Sequence, residues 1–529
     1  MSFTIQNALL LVESGYETAD VQVVDNCISA IAPNNPPFDS SAYQGGNPPS
    51  NSPAYQGGNP PSNSSAYQGG NPPSNSPPYQ GGNPPFNSPP YQGGDRGGQT
   101  VINGKNKLLL PGFVNAHTHS SEMWQRGIIS PLPLELWIAE LYDFTPLDPE
   151  QVYLSALGTA VETLLSGGTS VVDHLVVIPG QELETIAAAV RAYQEIGIRA
   201  FIGPLIQDES LTAGMPSGDS GIEHAAYIRS TKATLELMET AIKQFHNPEK
   251  GVNMLLAPTG IQLCSDALFE GCIELSDRYN LCRHAHLLET SAQKQLAHEK
   301  YGCSAVEHLQ KIGYLSPRTS LAHCVWLDDS DIAIMAETGA TVVHNPLSNL
   351  RLGSGIAPIL KYRQAGVNVS FGCDGAASND SQDLLEAIKI GSILHNITDL
   401  DYRQWITPRQ SVEMASLGGA KGLNLADEMG SLTVGKKADF VLYDLTSLSL
   451  LPRTDPIGLL ILGRPTNAVD SVWVNGKQIV AEGKVKTIDV DALRRELFDR
   501  SEWTSKRQSQ TVSEIEAHYR KVMNLQGYS

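Results

Sequence analysis

Leu108-Leu109-Leu110-Pro111-Gly112-Phe113-Val114-Asn115-Ala116-His117-Thr118-His119 is the stretch on which the fold reading turns. It is apolar throughout, broken once by Pro-Gly, and it ends in two histidines one residue apart. In a β-strand, residues i and i+2 project to the same side. A buried strand ending this way presents two imidazoles to one point, an arrangement that suits a divalent transition metal. A bare His-x-His pair is common among core and surface histidines, so the weight of this one depends on the rest of the chain.

Seven further β-rich runs follow, at 169–173, 199–203, 252–257, 281–286, 319–323, 340–344 and 367–372, and helical patterns separate them. With 108–115 they make eight, and strand–helix alternation implies a parallel sheet. We expect an α/β (β/α)8 barrel over 111–427, with a doubly wound open sheet as the structural rival. Ionisable residues decide between them. His117 and His119, Asp173 and His174, His286, His323, His344 and Asp374 all close a run. A barrel gathers such ends at one mouth, where active sites lie, whereas an open sheet spreads them along an edge.

The chain ends read as a second unit. Short strands at 3–11, 19–24, 27–32, 100–103 and 107–110, and at 438–443, 469–474 and 477–481, predict a small β-sandwich built from 1–35 and 99–110 together with 428–486. Asn475-Gly476 is a strong hairpin signal. Residues 487–529 are charged and helix-like. Between the N-terminal pieces, 36–98 repeat a twelve-residue unit, YQGGNPPSNSPA, with Tyr43, Tyr55, Tyr67, Tyr79 and Tyr91 in register. Gly, Pro, Asn and Ser cannot bury enough surface to offset chain entropy, so a disordered insertion is expected there.

Composition narrows the function classes. A net charge of −19 across 529 residues, with no basic cluster, argues against a nucleic-acid surface. No run is long enough to span a bilayer, and the N-terminus lacks a basic start before an apolar run. Seven scattered cysteines, odd in number and never CxxC, argue for a reducing compartment. These features lead us to expect a cytoplasmic protein with a small-molecule substrate and neither a nucleic-acid nor a membrane partner.

His117, His119, His286 and Asp374 are the candidate metal ligands. Three imidazoles and one carboxylate leave a divalent ion with net positive charge and room for water, as in a catalytic site rather than a structural one. Taken singly, His286 reads as a buried histidine and Asp374, followed by Gly375, as a turn aspartate. Taken together they read as one site for one divalent ion, zinc first, with iron or manganese as alternatives. Glu289 lies three residues past His286, where it could shuttle protons above the metal or simply open the next helix. His323 is a further ligand or a hydrogen-bond donor to the attacking oxygen.

The motifs PGFVNAHTHSSEMWQRG (111–127), HAHLLET (284–290), LAHCVWL (321–327), HNPLSNLRLGSGIAPI (344–359), FGCDGAASND (371–380) and GSLTVGKKADFVLYD (430–444) resemble the amidohydrolase superfamily. The likeness is to the group holding adenosine-type and S-adenosylhomocysteine deaminases and the triazine hydrolases. The resemblance covers nearly everything outside the repeat. It implies a mononuclear site with His117, His119, His286 and Asp374 as ligands, because the bridging lysine or glutamate of binuclear members is missing from 256–260. It also implies that His323 orients the water, that Asp374 helps deprotonate it, and that Glu289 protonates the ring nitrogen and the departing amine.

The histidine and glutamate by which nucleoside deaminases of the group hold the sugar are not evident at 259–262 and 144–148. That favours deamination of a free base, pterin or triazine. Cyclic-amide hydrolysis or triazine dechlorination is the alternative, and a non-catalytic assembly protein using the tyrosine repeats is the third reading. Gln262, Ser378 and Trp124 are the expected substrate contacts, with Trp137 assigned to core packing. A homo-oligomer is expected by analogy.

Overall fold

The computed structural model describes residues 2–34, 100–142, 147–211, 213–216, 228–502 and 510–525. The tyrosine repeat expected to be a disordered insertion lies outside the described residues, as do 143–146 of the first long loop.

Nine strands from both ends of the described chain form one sheet. They are β1 (Ser2–Val12), β2 (Gly15–Val24), β3 (Cys27–Pro33), β4 (Thr100–Asn103) and β5 (Lys107–Pro111), together with four late strands introduced below. A bulge in β1 between Ile5 and Ala8 lets its first half pair with β4 and its second half with β5, both in parallel.

Beyond β5 the chain enters the strands that carry the site. These are β6 (Phe113–Thr118), β7 (Gly168–Leu175), β8 (Arg199–Ile206), β9 (Val252–Met254), β10 (Ala257–Pro258), β11 (Arg283–Leu287), β12 (Thr319–His323), β13 (Thr341–His344) and β14 (Val369–Phe371). All their pairings are parallel. One sheet runs β6–β7–β8 with β9 and β10 both on β8, and the other runs β11–β12–β13–β14. β6 and β7 are buried along their whole length, as parallel strands covered on both faces must be. Backbone bonds join the two sheets at one seam, where His284 N–H donates to Leu256 O (3.0 Å) and His286 N–H to Thr259 O (3.0 Å). At the other seam, Asp374 N–H donates to His117 O (2.9 Å). The fourth run expected from sequence is divided, because Leu255 N–H bonds Ile202 O whereas Leu256 N–H turns to Cys282 O.

The late strands are β15 (Phe440–Asp444), β16 (Val469–Val474), β17 (Lys477–Ala481) and β18 (Lys484–Val485). β15 lies antiparallel on β5, with Leu442 opposite Leu109, so the two chain ends share one core around Phe3, Ile5, Val21, Leu109, Phe440 and Trp473. Asn475 and Gly476 both take positive φ in the turn that joins β16 to β17, as a two-residue hairpin requires.

Helices fill the connections. Pro149–Leu165 begins with a full capping box between Asp148 and Gln151 and has Pro at its first turn. The helix Leu134–Tyr142 sits over the C-terminal strand ends and is itself covered by Gln510–Val522, through a cluster that includes Leu136, Ala139, Val512 and Ile515. Among the described residues no helix is long and apolar enough to cross a membrane, and the seven cysteines are all free.

Candidate metal centre

His117 and His119 close β6, with His117 fully buried and His119 nearly so. Gly372, just past β14, allows the close approach of these two strands. A Cβ there would stand 2.9 Å from His117 Cβ and 3.0 Å from His117 N. Four donor atoms converge. His119 Nε2 lies 3.2 Å from His286 Nε2, His117 Nε2 lies 3.2 Å from Asp374 Oδ1, and His119 Nε2 lies 3.4 Å from the same oxygen. A tetrahedral ion with bonds of about 2.0–2.1 Å requires donors roughly 3.3 Å apart. His117 Nε2 is buried and makes no hydrogen bond despite its nearness to Asp374. The donor set therefore fits a divalent transition metal.

The outer nitrogens fix the rings. His119 Nδ1–H donates to His174 O (2.6 Å) and His286 Nδ1–H to Thr259 O (2.6 Å). His117 Nδ1 bonds His284 Nε2 (2.7 Å), and His284 Nδ1 in turn bonds Ser320 Oγ (2.7 Å). With each Nδ1 engaged outward, all three Nε2 lone pairs are free to face inward. His117, His174 and His284 also bring ring nitrogens close together. The 2.7 Å separation of His117 Nδ1 and His284 Nε2 is that of a hydrogen bond and is short for two ligands of one ion, so we read this group as support for the first.

Strain collects at the same strand ends. Leu288, His323, Cys324 and Asp374 all take positive φ, a conformation that non-glycine residues adopt where surrounding structure holds them. His323 Nδ1 bonds Asn349 Oδ1 (2.9 Å), which directs Nε2 toward Glu289 Oε2 (3.5 Å) and Asp374 Oδ2 (3.9 Å). Ser354 Oγ donates to Glu289 Oε1 (2.9 Å).

The electrostatics separate the acids. Burial pushes Glu289 up to about 7, and burial likewise takes Glu122 to about 7. Asp374 is equally buried, yet the His117 ring beside it and the charges of His323 and His119 hold it well below the usual carboxylate range. Burial lowers His117 to about 4 and His286 well below the ordinary value. Burial also opposes the charge on His119, but Glu122 and Asp374 carry its pKa upward.

Above these groups opens a cavity of about 610 Å³, its mouth included. Its polar lining includes Glu122, Thr259, Gln262, Glu289 and Ser378, and its wall is built from leucines, Ile138, Val176 and Trp137. Gln262 and Ser378, expected from sequence to contact substrate, are thus cavity-lining residues. Trp124 does not line the cavity. Its Nε1–H donates to Gln151 O (2.9 Å), which pins it to the helix Pro149–Leu165. Trp137, expected in the core, is buried and faces the cavity. Sequence reasoning missed Glu122, His284, Asn349 and Ser354, and placed His174 at a strand end without giving it a partner. Glu122 did carry a signal, since it follows His119 by the same three residues that separate Glu289 from His286.

Comparison with known proteins agrees with this geometry. Residues 108–479 match the model of the amidohydrolase family. A 5-methylthioadenosine/S-adenosylhomocysteine deaminase of Caldanaerobacter subterraneus is 31% identical over 76% of this chain and 88% of its own length. A 5'-deoxyadenosine deaminase of Methanothermobacter thermautotrophicus is 33% identical over 74% of this chain and 86% of its own length. Among solved structures, the atrazine chlorohydrolase of Arthrobacter aurescens TC1 complexed with zinc superposes with a TM-score of 0.75 at 23% identity, covering 94% of this chain and 99% of that one. With a family model spanning most of its length and relatives above 30% identity, the chain belongs to the amidohydrolase family, hydrolases of carbon–nitrogen bonds.

Proposed function

We propose that this chain deaminates a small aminated N-heteroaromatic compound, using one divalent metal ion, zinc first, held by His117, His119, His286 and Asp374. The observation that carries the reading is the convergence of those four donors at separations of 3.2–3.4 Å, beneath a cavity that also holds a buried carboxyl. In the same reading the two parallel sheets form one eight-stranded barrel, joined at the seams described above, with the terminal sheet as a smaller β unit beside it.

A divalent ion bound there supplies Lewis acidity, which makes water a competent nucleophile near neutral pH. The remaining work belongs to side chains. Asp374, held ionised, can take a proton at Oδ2, the oxygen nearer His323. His323, its Nδ1 fixed by Asn349, presents Nε2 to the attacking oxygen. Glu289, kept largely protonated below pH 7 by burial, donates to the ring nitrogen beside the amino-bearing carbon, takes the second proton of the attacking water and passes it to the leaving amine, and is restored by the proton held at Asp374. Water and the aryl amine become a lactam-type product and ammonia. The apolar wall keeps bulk water from the ring.

A second reading, an adenine nucleoside as substrate, is favoured by the names of the two relatives. Thr259 and Gln262 line the cavity, and neither is charged. A screen of the zinc-loaded protein against free bases, pterins, aminotriazines, chloro-aminotriazines and adenine nucleosides, reading ammonia and chloride release, tests both. Release of ammonia from the free heterocycles supports the first reading, release only from nucleosides supports the second, and chloride release without ammonia defeats both.

A further inference from the structure

The mechanism above leaves one buried acid of the cavity unused. Glu122 lies on the 3₁₀ turn Ser120–Gln125 and is 4% exposed. Its carboxyl lines the cavity. Oε2 accepts one backbone bond, from Ala377 N–H at 3.3 Å. No lysine or arginine appears among the cavity-lining residues, and the positive group that Glu122 feels is His119, on the metal side of the cavity. The neighbouring chain is shaped around it, since a Cβ on Gly375 would fall inside van der Waals contact of Glu122 Oε2. A buried carboxyl with a single long backbone donor keeps accepting capacity to spare, and the cavity is where a further donor would arrive.

The position of Glu122 defines what it meets. From β6 the pairings lead through β7, β8 and β9/β10 to β11, and in the other direction through β14, β13 and β12 to β11. The strand before Glu122 and the strand before Glu289 therefore lie across the site from one another. Glu289 leans on His323 and Ser354, while Glu122 leans on the segment after β14, beside Ser378. A flat ring held over the metal with one edge at Glu289 offers another edge to Glu122.

We propose that Glu122 is a specificity-determining residue that accepts hydrogen bonds from a second donor edge of the substrate, so that preferred substrates are diamino- or otherwise doubly N–H-bearing azines. This rests on the deaminase reading and narrows its substrate class. The same pocket disfavours phosphorylated or carboxylated substrates, because three carboxyls and no cation line it.

The test uses the zinc-loaded full chain and two matched probe pairs, diaminopurine against adenine and melamine against amino-dimethyltriazine. A charge-assisted hydrogen bond contributes about 1.5–3 kcal/mol, so the wild type should favour the member with the additional amino groups by roughly 10- to 150-fold in kcat/KM. In Glu122→Gln that ratio should collapse to within about threefold. Gly375→Ala, which displaces the carboxyl without removing it, should lower the ratio in the same direction. Zinc content and circular dichroism verify that each variant is folded and loaded. A ratio near one in the wild type, or an unchanged ratio in Glu122→Gln, overturns the proposal. Absence of ammonia from every probe defeats the deaminase reading alone. In that case calorimetric binding of melamine and diaminopurine to wild type and Glu122→Gln still decides, with at least tenfold weaker binding by the variant expected and equal binding refuting the role.

Discussion

His284 touches no substrate in the scheme above, yet its removal should weaken the metal site. Its ring is fully buried, and its Nε2 is the partner of His117 Nδ1 at 2.7 Å. In His284→Leu the volume is roughly kept and the partner is lost. His117 Nδ1–H then faces an apolar wall, at a cost of about 1–3 kcal/mol for an unsatisfied buried donor. The ring can escape that cost by rotating or by switching tautomer, and either move turns a lone pair away from the metal. At about 1.4 kcal/mol per decade, the metal dissociation constant should rise roughly 5- to 150-fold, within the range usual for groups that orient a ligand histidine. Competition against a chromophoric chelator measures this directly, without reference to turnover. His284→Gln supplies a control, because its amide oxygen reaches the place of Nε2 and should recover most of the affinity. If His284→Leu binds zinc like the wild type, or if the glutamine variant is as weak as the leucine one, the orienting bond is not what holds His117.

Glu289→Gln should retain zinc and lose about 10²- to 10⁴-fold in kcat, the usual share of a general acid, as read by ammonia release. With Glu289 near 7, kcat/KM should fall about tenfold per pH unit above neutrality, since only the protonated form donates, and a flat profile to pH 9 would contradict that assignment. The same group makes stability depend on pH. Its folded pKa of about 7 exceeds the ordinary 4.5, so its contribution is fully present below about 4.5 and is lost as pH rises to about 7. That loss is roughly 3 kcal/mol, which Glu289→Gln should remove from urea melts of the metal-free chain. Chelation of the metal should abolish turnover and lower Tm, with zinc restoring both.

Local periodicity made much of the core legible. β6 ends in its paired histidines because a strand repeat of two is visible in the residues themselves, and the eight runs could be located by their apolar content. Asn475-Gly476 signalled its hairpin for an equally local reason. The losses fall where the chain leaves regular structure. Trp124 and Glu122 sit on a short 3₁₀ turn, where no periodicity says which side chain faces the cavity. Trp124 accordingly went to a backbone carbonyl of the next helix and Glu122 to the pocket. Trp137 was assigned to the core because burial and cavity lining look alike in sequence. His284 needed the neighbour His117, 167 residues away, before it had a role. The single fourth run became β9 and β10, both on β8, because the Leu256 N–H between them turns to Cys282 O.

The strand that carries the first two imidazoles follows directly from β5, and β5 is held from one side by β15. The polypeptide therefore makes its paired histidines long before Asp374 and then β15 emerge. Contacts so distant in sequence form late. On the ribosome, the nascent chain thus carries two exposed histidines next to an unpaired apolar strand edge, and only when β15 emerges does one event both cover that edge and anchor the strand that bears them.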